Sequence, residues 1–332
     1  MRILVTGATG GLGRNAVECL HEQGVNVRAT GRNVAVGKQL TKAGIRFIPM
    51  DLAEASDDDM AGLVHEVDAV WHCAALSAPW GSRQQFESCN VRATAHLLRA
   101  CGAAGTGRFI HVSTPAIYFD YTHRLQIEES FRARRPANEY VRTKALAEAL
   151  VQGSGESFPG MWTAIIRPRA IFGPHDQVLI PRLNRVIESR NGRLPLPRGG
   201  NAVIDMTYVE NVVHAMWLAT NSTDVPTGLA FNITNDEPAR IATVLESLFV
   251  EQLGRTMDII DVPYPVADLA ARFMQGASLL TRKEPALTRY SAGVLAYDMT
   301  LSIRRARDLL GYIPPVSMHE GIRRTAAWMS HG

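Results

Sequence analysis

Three observations predict an α/β fold built on a doubly wound parallel sheet. Short β-branched runs alternate with helical patterns through the first half of the 332 residues. The first run, "RILVTG", leads straight into a glycine-rich turn. Hydrophobic residues are 46% against 20% charged, which is ample material for a large core. After Gly173 the alternation breaks, so a smaller, mainly helical C-terminal lobe is expected to follow the sheet.

The elements follow in order. "RILVTG" reads as a buried strand, and "NAVECLHEQG" as a helix stopped at Gly24. "NVRATG" is the second strand, "VGKQLTKAG" a helix and "IRFIPMD" the third strand. "MAGLVHEV" is helical and "AVWHCAA" is the fourth strand. One long helix covers "QQFESCNVRATAHLLRACGAAG", and "RFIHVST" is the fifth strand. A loop then leads to the helix "EYVRTKALAE", and "WTAIIRP" is a strand closed by Pro168. These runs are continuously apolar rather than alternating, as in parallel sheets covered on both faces. Further on, "PRLNRVIESRNG" reads as a helix and "RLPLPRGG" as a Pro- and Gly-rich loop. "DMTYVENVVHAMWLAT" passes from strand or turn into helix, and "GLAFNITN" is a strand. Beyond Ala239 helical patterns dominate.

The net charge of +3 is small and its signs are mixed, with no basic run, so no nucleic-acid partner is expected. No apolar run approaches the roughly 18 residues of a spanning helix. Met1 runs straight into the first strand without a secretory pattern. None of Cys19, Cys73, Cys89 and Cys101 lies in a CxxC pair. They read as free thiols, mostly buried, in a reducing compartment, so a cytoplasmic protein without a metal site is expected.

"TGATGGLG" (Thr6 to Gly13) follows the first strand and opens the first helix. Glycines at Gly7, Gly10 and Gly13 permit a tight turn and a close approach to a pyrophosphate, which the helix N-terminus would hold. The cradle is expected to comprise Gly7, Thr9, Gly10, Gly11, Leu12 and Gly13. A dinucleotide of the NAD type is the implied ligand. Residues 1–173, with a return segment of about 202–234, form the expected binding domain, and residues 174–201 and 235–332 the substrate lobe.

An acidic residue at the end of the second strand would take the ribose 2′-hydroxyl of NAD, whereas an arginine suits the 2′-phosphate of NADP. Gly31, Arg32 and Asn33 stand there, with no acid. The planar fork of Arg32 suits phosphate, and Asn33 can add a hydrogen bond. NADP(H) is therefore favoured, with NAD(H) as an alternative.

Tyr140 and Lys144 are four apart on a helix and share a face. By itself that spacing is common. The glycines, however, are spaced GxxGxxG rather than GxGxxG, and the Tyr-x-x-x-Lys pair follows more than a hundred residues later. In both respects the chain resembles the extended short-chain dehydrogenase/reductases over nearly its whole length. That resemblance implies that Tyr140 is the acid–base and that Lys144 stabilises its phenolate and holds the nicotinamide ribose. It implies a hydroxyl four positions before Tyr118, which is Thr114, with Ser113 as the second choice. It further implies that Asn90 holds a water beside the lysine. Asp51 and Leu52 match the adenine-contacting position, Ala74 and Ala75 the small residues beneath the cofactor, and Arg167–Pro168 the segment passing the nicotinamide. Asp205, Tyr208 and Val209 read as structural.

Sugar dehydratases of that family carry an Asp-Glu pair after the threonine, where this chain has Pro115 and Ala116. "AALSAPWGSRQQFESCNVRAT", "STPAIY", "RPRAIFGPHDQVLIPRL", "EPALTRY" and "LGYIPPVSMHEGIRR" resemble the 3β-hydroxysteroid dehydrogenase-like group, and within it the bacterial 2-alkyl-3-oxoalkanoate reductases. The implied reaction is reversible hydride transfer at a 3-keto or 3-hydroxy carbon of a bulky apolar ketone or alcohol, in a homodimer. "PVADLAARFMQGASLLT", with Phe273 and Met274, can cover such a substrate, pack as core or form a dimer face. With Arg272, Arg282 and Lys283 it can also touch a membrane surface weakly. The alternatives are a nucleotide-sugar epimerase, with Arg182 or Arg198 on the diphosphate, and a non-catalytic cofactor-binding protein of the same fold.

Overall fold

In this computed structural model residues 1–281 and 283–331 are described, with Leu179 and Leu279 placed by their backbone alone; Arg282 lies outside the described residues. Chain order begins β1 (Arg2–Thr6), α1 (Gly11–Glu22), β2 (Asn26–Gly31), α2 (Val34–Lys42), β3 (Arg46–Pro49) and α3 (Asp57–Val64). Ser56 and Asp59 start α3 with a reciprocal capping box. After β4 (Ala69–His72), Ser82 and Gln85 form a second box at the start of α4 (Arg83–Phe86). This helix continues through a π-helical stretch, Glu87–Arg92, into α5 (Ala93–Ala104). Next come β5 (Arg108–Val112), β6 (Arg124–Ile127), α6 (Glu139–Ser157), β7 (Trp162–Pro168) and β8 (Ile171–Phe172). The Asn138 side chain caps α6 by accepting from the Val141 amide.

The second half holds α7 (Leu179–Ser189), β9 (Arg193–Pro197), β10 (Val203–Ile204), β11 (Thr207–Tyr208), α8 (Val209–Asn221) and β12 (Leu229–Ile233). It continues with β13 (Ala239–Arg240), α9 (Ile241–Leu245), β14 (Asp258–Val262), α10 (Tyr264–Thr281) and α11 (Arg289–Ala296). It closes with β15 (Met299–Leu301), α12 (Arg304–Leu310) and α13 (Met318–His331).

Seven parallel strands form the main sheet in the order β12-β7-β5-β4-β1-β2-β3. The order reverses between β1 and β4, which makes the carboxyl end of β1 the switch point where ligands bind in such sheets. The pleat separates the core into two faces. Ile3 and Val5 pack with Val17 and Leu20 of α1 and Met216 of α8, and Leu4 packs with Met60 of α3 and Leu97 of α5. All four cysteines are free; Cys101 is buried, and the other three are partly exposed rather than buried.

Three segments differ from the sequence reading. "RLPLPRGG" opens with a strand, β9, which pairs in parallel with β14 in a two-stranded sheet. Proline lacks an amide, but an edge strand has a side that needs none. The loop before α6 contains β6, and the region beyond Ala239 contains β13, β14 and β15. A small sheet of order β13-β10-β15-β6 draws these short strands from distant parts of the chain. On α10, Val266, Leu269, Phe273 and Leu280 remain exposed, so this face is not packed core.

Candidate active site

The glycine turn is built for two tasks. Gly7 has φ +66, and a Cβ there would stand 2.8 Å from the Cα of Ala74. A Cβ at Gly13 would stand 2.2 Å from the Gly7 carbonyl oxygen. These two glycines therefore let the turn, β4 and α1 pack together. Gly10 is different, because its Cβ would meet only the Gly7 oxygen, at 3.4 Å. Internal packing leaves room for a side chain there, and its lack opens the approach to the turn. Gly11, where α1 begins, lies against the backbone of His175. The helix has no side-chain cap and no acidic residue in its first turn, so its amides and positive dipole end suit an anion. The turn fits a dinucleotide pyrophosphate. Thr9 lies against Gly31 at the end of β2. Ala74 donates its amide to Thr6 Oγ1 at 3.2 Å, just before Ala75.

At the ends of β2 and β3, Arg32 Nη1 lies 3.6 Å from a carboxylate oxygen of Asp51. The arginine side chain is 64% exposed, so this weak pair leaves it free to meet a ligand. Asn33 caps α2, its side-chain oxygen accepting from Ala35 at 3.0 Å and Val36 at 3.2 Å. That oxygen is thus already engaged. Asp51 also accepts from the Ala53 amide at 3.0 Å, and Leu52 is buried.

On α6, Tyr140, Lys144 and Glu148 succeed one another at four-residue intervals and face the sheet. The Tyr140 phenol lies beside the side chains of Thr114 and Ser77. Burial pushes this phenol above its ordinary pKa, and the neighbouring Ser77 and Thr114 side chains pull against that shift. The Lys144 ammonium is turned to the end of β5, donating to the Val112 carbonyl at 2.6 Å and lying 3.3 Å from His111 Nε2. Burial lowers its pKa to about 8.

Thr114 also accepts from the Ala116 amide at 3.1 Å, which fixes its hydroxyl at the start of the turn Pro115–Tyr118. Ser113 Oγ is buried without a partner and does not reach Tyr140. Asn90 lies in the π-helical stretch. Its amide oxygen accepts from Leu76 N at 2.7 Å, and its nitrogen donates to Leu76 O at 3.2 Å and to Thr143 Oγ1 at 3.1 Å. It is therefore engaged with the segment that presents Ser77, rather than turned to Lys144. The sequence reading did not single out Ser77; its only signal there was a hydroxyl shortly after β4, in "AALSAPW".

Arg167 is wholly buried below this cluster. Its guanidinium binds both oxygens of Glu148, at 2.8 and 2.6 Å, and donates to the Glu129 carbonyl and the Tyr118 hydroxyl. Pro168 ends β7 opposite Ile233. Asp205 accepts from the Leu301 amide at 2.6 Å, Tyr208 is buried, and Val209 begins α8, so this segment anchors the chain. Among the described residues no group of His, Cys, Asp and Glu could hold a metal ion, and no helix is long and apolar enough to cross a membrane.

A pyrophosphate-ready turn at the switch point of a doubly wound sheet, with a tyrosine, lysine and threonine at its carboxyl edge, defines an NAD(P)-dependent enzyme of the Rossmann type. The chain belongs to the NAD dependent epimerase/dehydratase family, whose sequence model matches residues 3–234, and so to the extended short-chain dehydrogenase/reductases. It is 45% identical to the uncharacterized protein YbjS of Escherichia coli K12, over 100% of this chain and 99% of that protein. It is 33% identical to the 2-alkyl-3-oxoalkanoate reductase of Stenotrophomonas maltophilia K279a, over 98% of this chain and 99% of the reductase. Its fold is similar to that of the UDP-glucuronic acid 4-epimerase of Bacillus cereus, solved with UDP-glucuronic acid and NAD. That likeness has a TM-score of 0.79 at 21% identity, covering 100% of this chain and 99% of the epimerase.

Proposed function

We propose that this protein is an NADP(H)-dependent oxidoreductase that interconverts a ketone and a secondary alcohol at the 3-position of a bulky apolar substrate, 3-oxoacyl or steroid-like. The observation that carries this reading is the Tyr140 phenol, which lies beside Thr114 and Ser77 one helical turn from Lys144. The nicotinamide cofactor, when bound, supplies or takes the hydride. In reduction, Tyr140 gives its Oη proton to the carbonyl oxygen as negative charge develops there. Thr114 donates to the same oxygen, and Ser77 orients the phenol. The ammonium of Lys144 stabilises the phenolate left behind and binds the nicotinamide ribose, with Pro168 alongside.

The reductase likeness supports the 3-oxo assignment, and the absence of an acid at the end of β2 supports NADP(H) over NAD(H), with Arg32 on the 2′-phosphate. Residues 1–173 and about 202–234 serve the cofactor, and residues 174–201 and 235–332 the substrate. Exposed Leu146 and Leu150 on α6 support a homodimer. The exposed apolar face of α10, beside Arg272 and Lys283, supports a weak contact with a membrane surface.

The test is Tyr140→Phe. Turnover of a 3-keto substrate with NADPH should fall by ~10²–10⁴-fold, the usual worth of a general acid, while NADPH binding measured by fluorescence is retained. Full activity in the Phe variant would remove Tyr140 from the chemistry.

A further inference from the structure

Two histidines lie side by side beneath helices α5 and α6, and their ring nitrogens are treated oppositely. His72 of β4 and His111 of β5 are each 1% exposed, with ring centroids 5.4 Å apart. Both nitrogens of His72 are engaged, Nδ1 with Thr6 Oγ1 at 2.8 Å and Nε2 with Thr94 Oγ1 at 2.9 Å. Thr94 donates its own proton to the Asn90 carbonyl at 2.8 Å, so it accepts from Nε2, and His72 is a saturated structural imidazole. His111 is not saturated. Its Nε2 lies 3.3 Å from Lys144 Nζ, and its Nδ1 is buried without a partner. An ammonium has donors only, so at this contact Nε2 is the acceptor and the ring proton sits on Nδ1. The orphaned Nδ1–H is the consequence of aiming a lone pair at the lysine, and an unmade hydrogen bond in the interior is costly.

The groups around Lys144 offer little else to hold it. Its ammonium donates to the Val112 carbonyl at 2.6 Å, and among the described residues no carboxylate pairs with it. Glu148, one turn further along α6, is committed to Arg167 of β7 and to Arg132. Desolvation pushes the Cys73 thiol up to about 12, so it stays uncharged, and the Tyr140 phenol is held above its ordinary value. His72 has no free nitrogen. Asn90 gives its amide to Leu76 and Thr143.

We infer that His111 is a positioning residue for the reaction, its Nε2 accepting from the Lys144 ammonium and so holding the lysine in place and charged. Of the three N–H groups of Lys144, Val112 and His111 take two, which leaves one for the nicotinamide ribose and the phenolate. A carboxylate in the same place would cancel the charge. A neutral base fixes the ammonium and leaves its full charge for the phenolate. This inference deepens the ketone–alcohol reading and rests on it for what the lysine then does.

The chain has four lysines, Lys38, Lys42, Lys144 and Lys283, so NMR of protein isotopically labelled at lysine Cε follows each of them. Lys144→Met identifies the Lys144 signal. In wild type this signal should titrate below the other three, since burial lowers Lys144 to about 8. His111→Phe keeps a ring but removes the acceptor, and should lower the Lys144 titration by about one further pH unit. His111→Gln, whose amide oxygen can accept, should restore at least half of that shift. An unchanged Lys144 titration in His111→Phe overturns the inference, and so does an equal shift in the Phe and Gln variants. Kinetics separate it from the reading it rests on. With a 3-keto substrate and NADPH, kcat should fall as the pH rises through the Lys144 titration, and the fall should begin about one unit lower in His111→Phe. An NMR shift with an unmoved rate profile overturns the positioning role. Failure of wild type to reduce any 3-keto substrate sinks the ketone–alcohol reading and leaves the hold on Lys144 to the NMR. If His111→Phe fails to fold, nitrogen NMR of the wild type decides. His111, assigned by its loss in His111→Gln, should carry its proton on Nδ1 at pH 7, and a proton on Nε2 overturns the inference.

Discussion

Thr114 and Ser113 are neighbours in sequence and have opposite surroundings. The threonine hydroxyl accepts from the Ala116 amide beside the Tyr140 phenol, whereas the buried serine hydroxyl has no partner. A donor aimed at developing charge in a water-excluded site is worth roughly 2.7–4 kcal/mol. Thr114→Val should therefore lower kcat by about 10²–10³-fold, and Ser113→Ala should lower it little, as judged by steady-state rates with a thermal melt on each variant. The reverse ranking would transfer the role to Ser113. At the other end of the cofactor, Arg32→Ala should reduce the kcat/KM ratio of NADPH over NADH about tenfold, since an exposed charge-assisted contact contributes about 1.4 kcal/mol. An unchanged ratio would remove Arg32 as the phosphate ligand. Tyr140, Lys144 and the glycines were legible in the sequence because their spacing is local and carries its own geometry. Ser77 was not, because nothing in "LSAP" says which hydroxyl lies beside the tyrosine. Only the packing of α6 against the sheet edge decides that.

Helix α6 owes its position to an ion pair beneath the site. Glu148, one turn beyond Lys144, is 2% exposed and bridges Arg167 of β7 and Arg132 of the preceding loop. Taking one partner from such a pair leaves a buried charge alone, at a cost of about 3–5 kcal/mol. Glu148→Gln should lose about that much in urea denaturation, whereas replacing both partners, with Arg167→Met and Glu148→Leu, should restore most of it. Equal losses in the single and double variants would show that shape rather than charge fixes the helix. The sequence places α6 and the alternating half of the chain well, because continuous apolar strands and helical periodicity repeat there. It conceals β6, β9 and β15 for a physical reason. These strands have three to five residues and pair with segments far away in the chain, so no local period marks them. The π-helical turn at Asn90 is equally silent, since one irregular turn hardly disturbs the pattern of a long helix.

For the whole molecule, the acid limit of stability follows from the buried bases under the site. His72 joins β1 to α5 through Thr6 Oγ1 at 2.8 Å and Thr94 Oγ1 at 2.9 Å, and burial lowers its pKa to about 3. Burial likewise holds His111, beside Lys144, well below the usual histidine range. Both are neutral in the fold but take up a proton when unfolded as the pH drops below about 6.5. Their contribution is thus complete above that pH and is lost on acidification, by up to ~1.4 kcal/mol per pH unit for each histidine. Asp205 acts in the opposite sense. Burial raises its pKa to about 6, so it gains a proton in the fold first and offsets one histidine as the pH falls towards 4. Two histidines against one carboxyl leave a net loss between pH 6.5 and 5. The ion-paired carboxylates with lowered pKa, such as Glu18 and Asp298, enter only below that window. His72→Gln should be less stable than wild type at pH 7 but lose less on going to pH 5, with a slope shallower by about 1.4 kcal/mol per pH unit. Urea midpoints at pH 7, 6 and 5 measure it. A parallel decline in the two proteins would show that His72 does not take up the proton, and would leave His111 as the source.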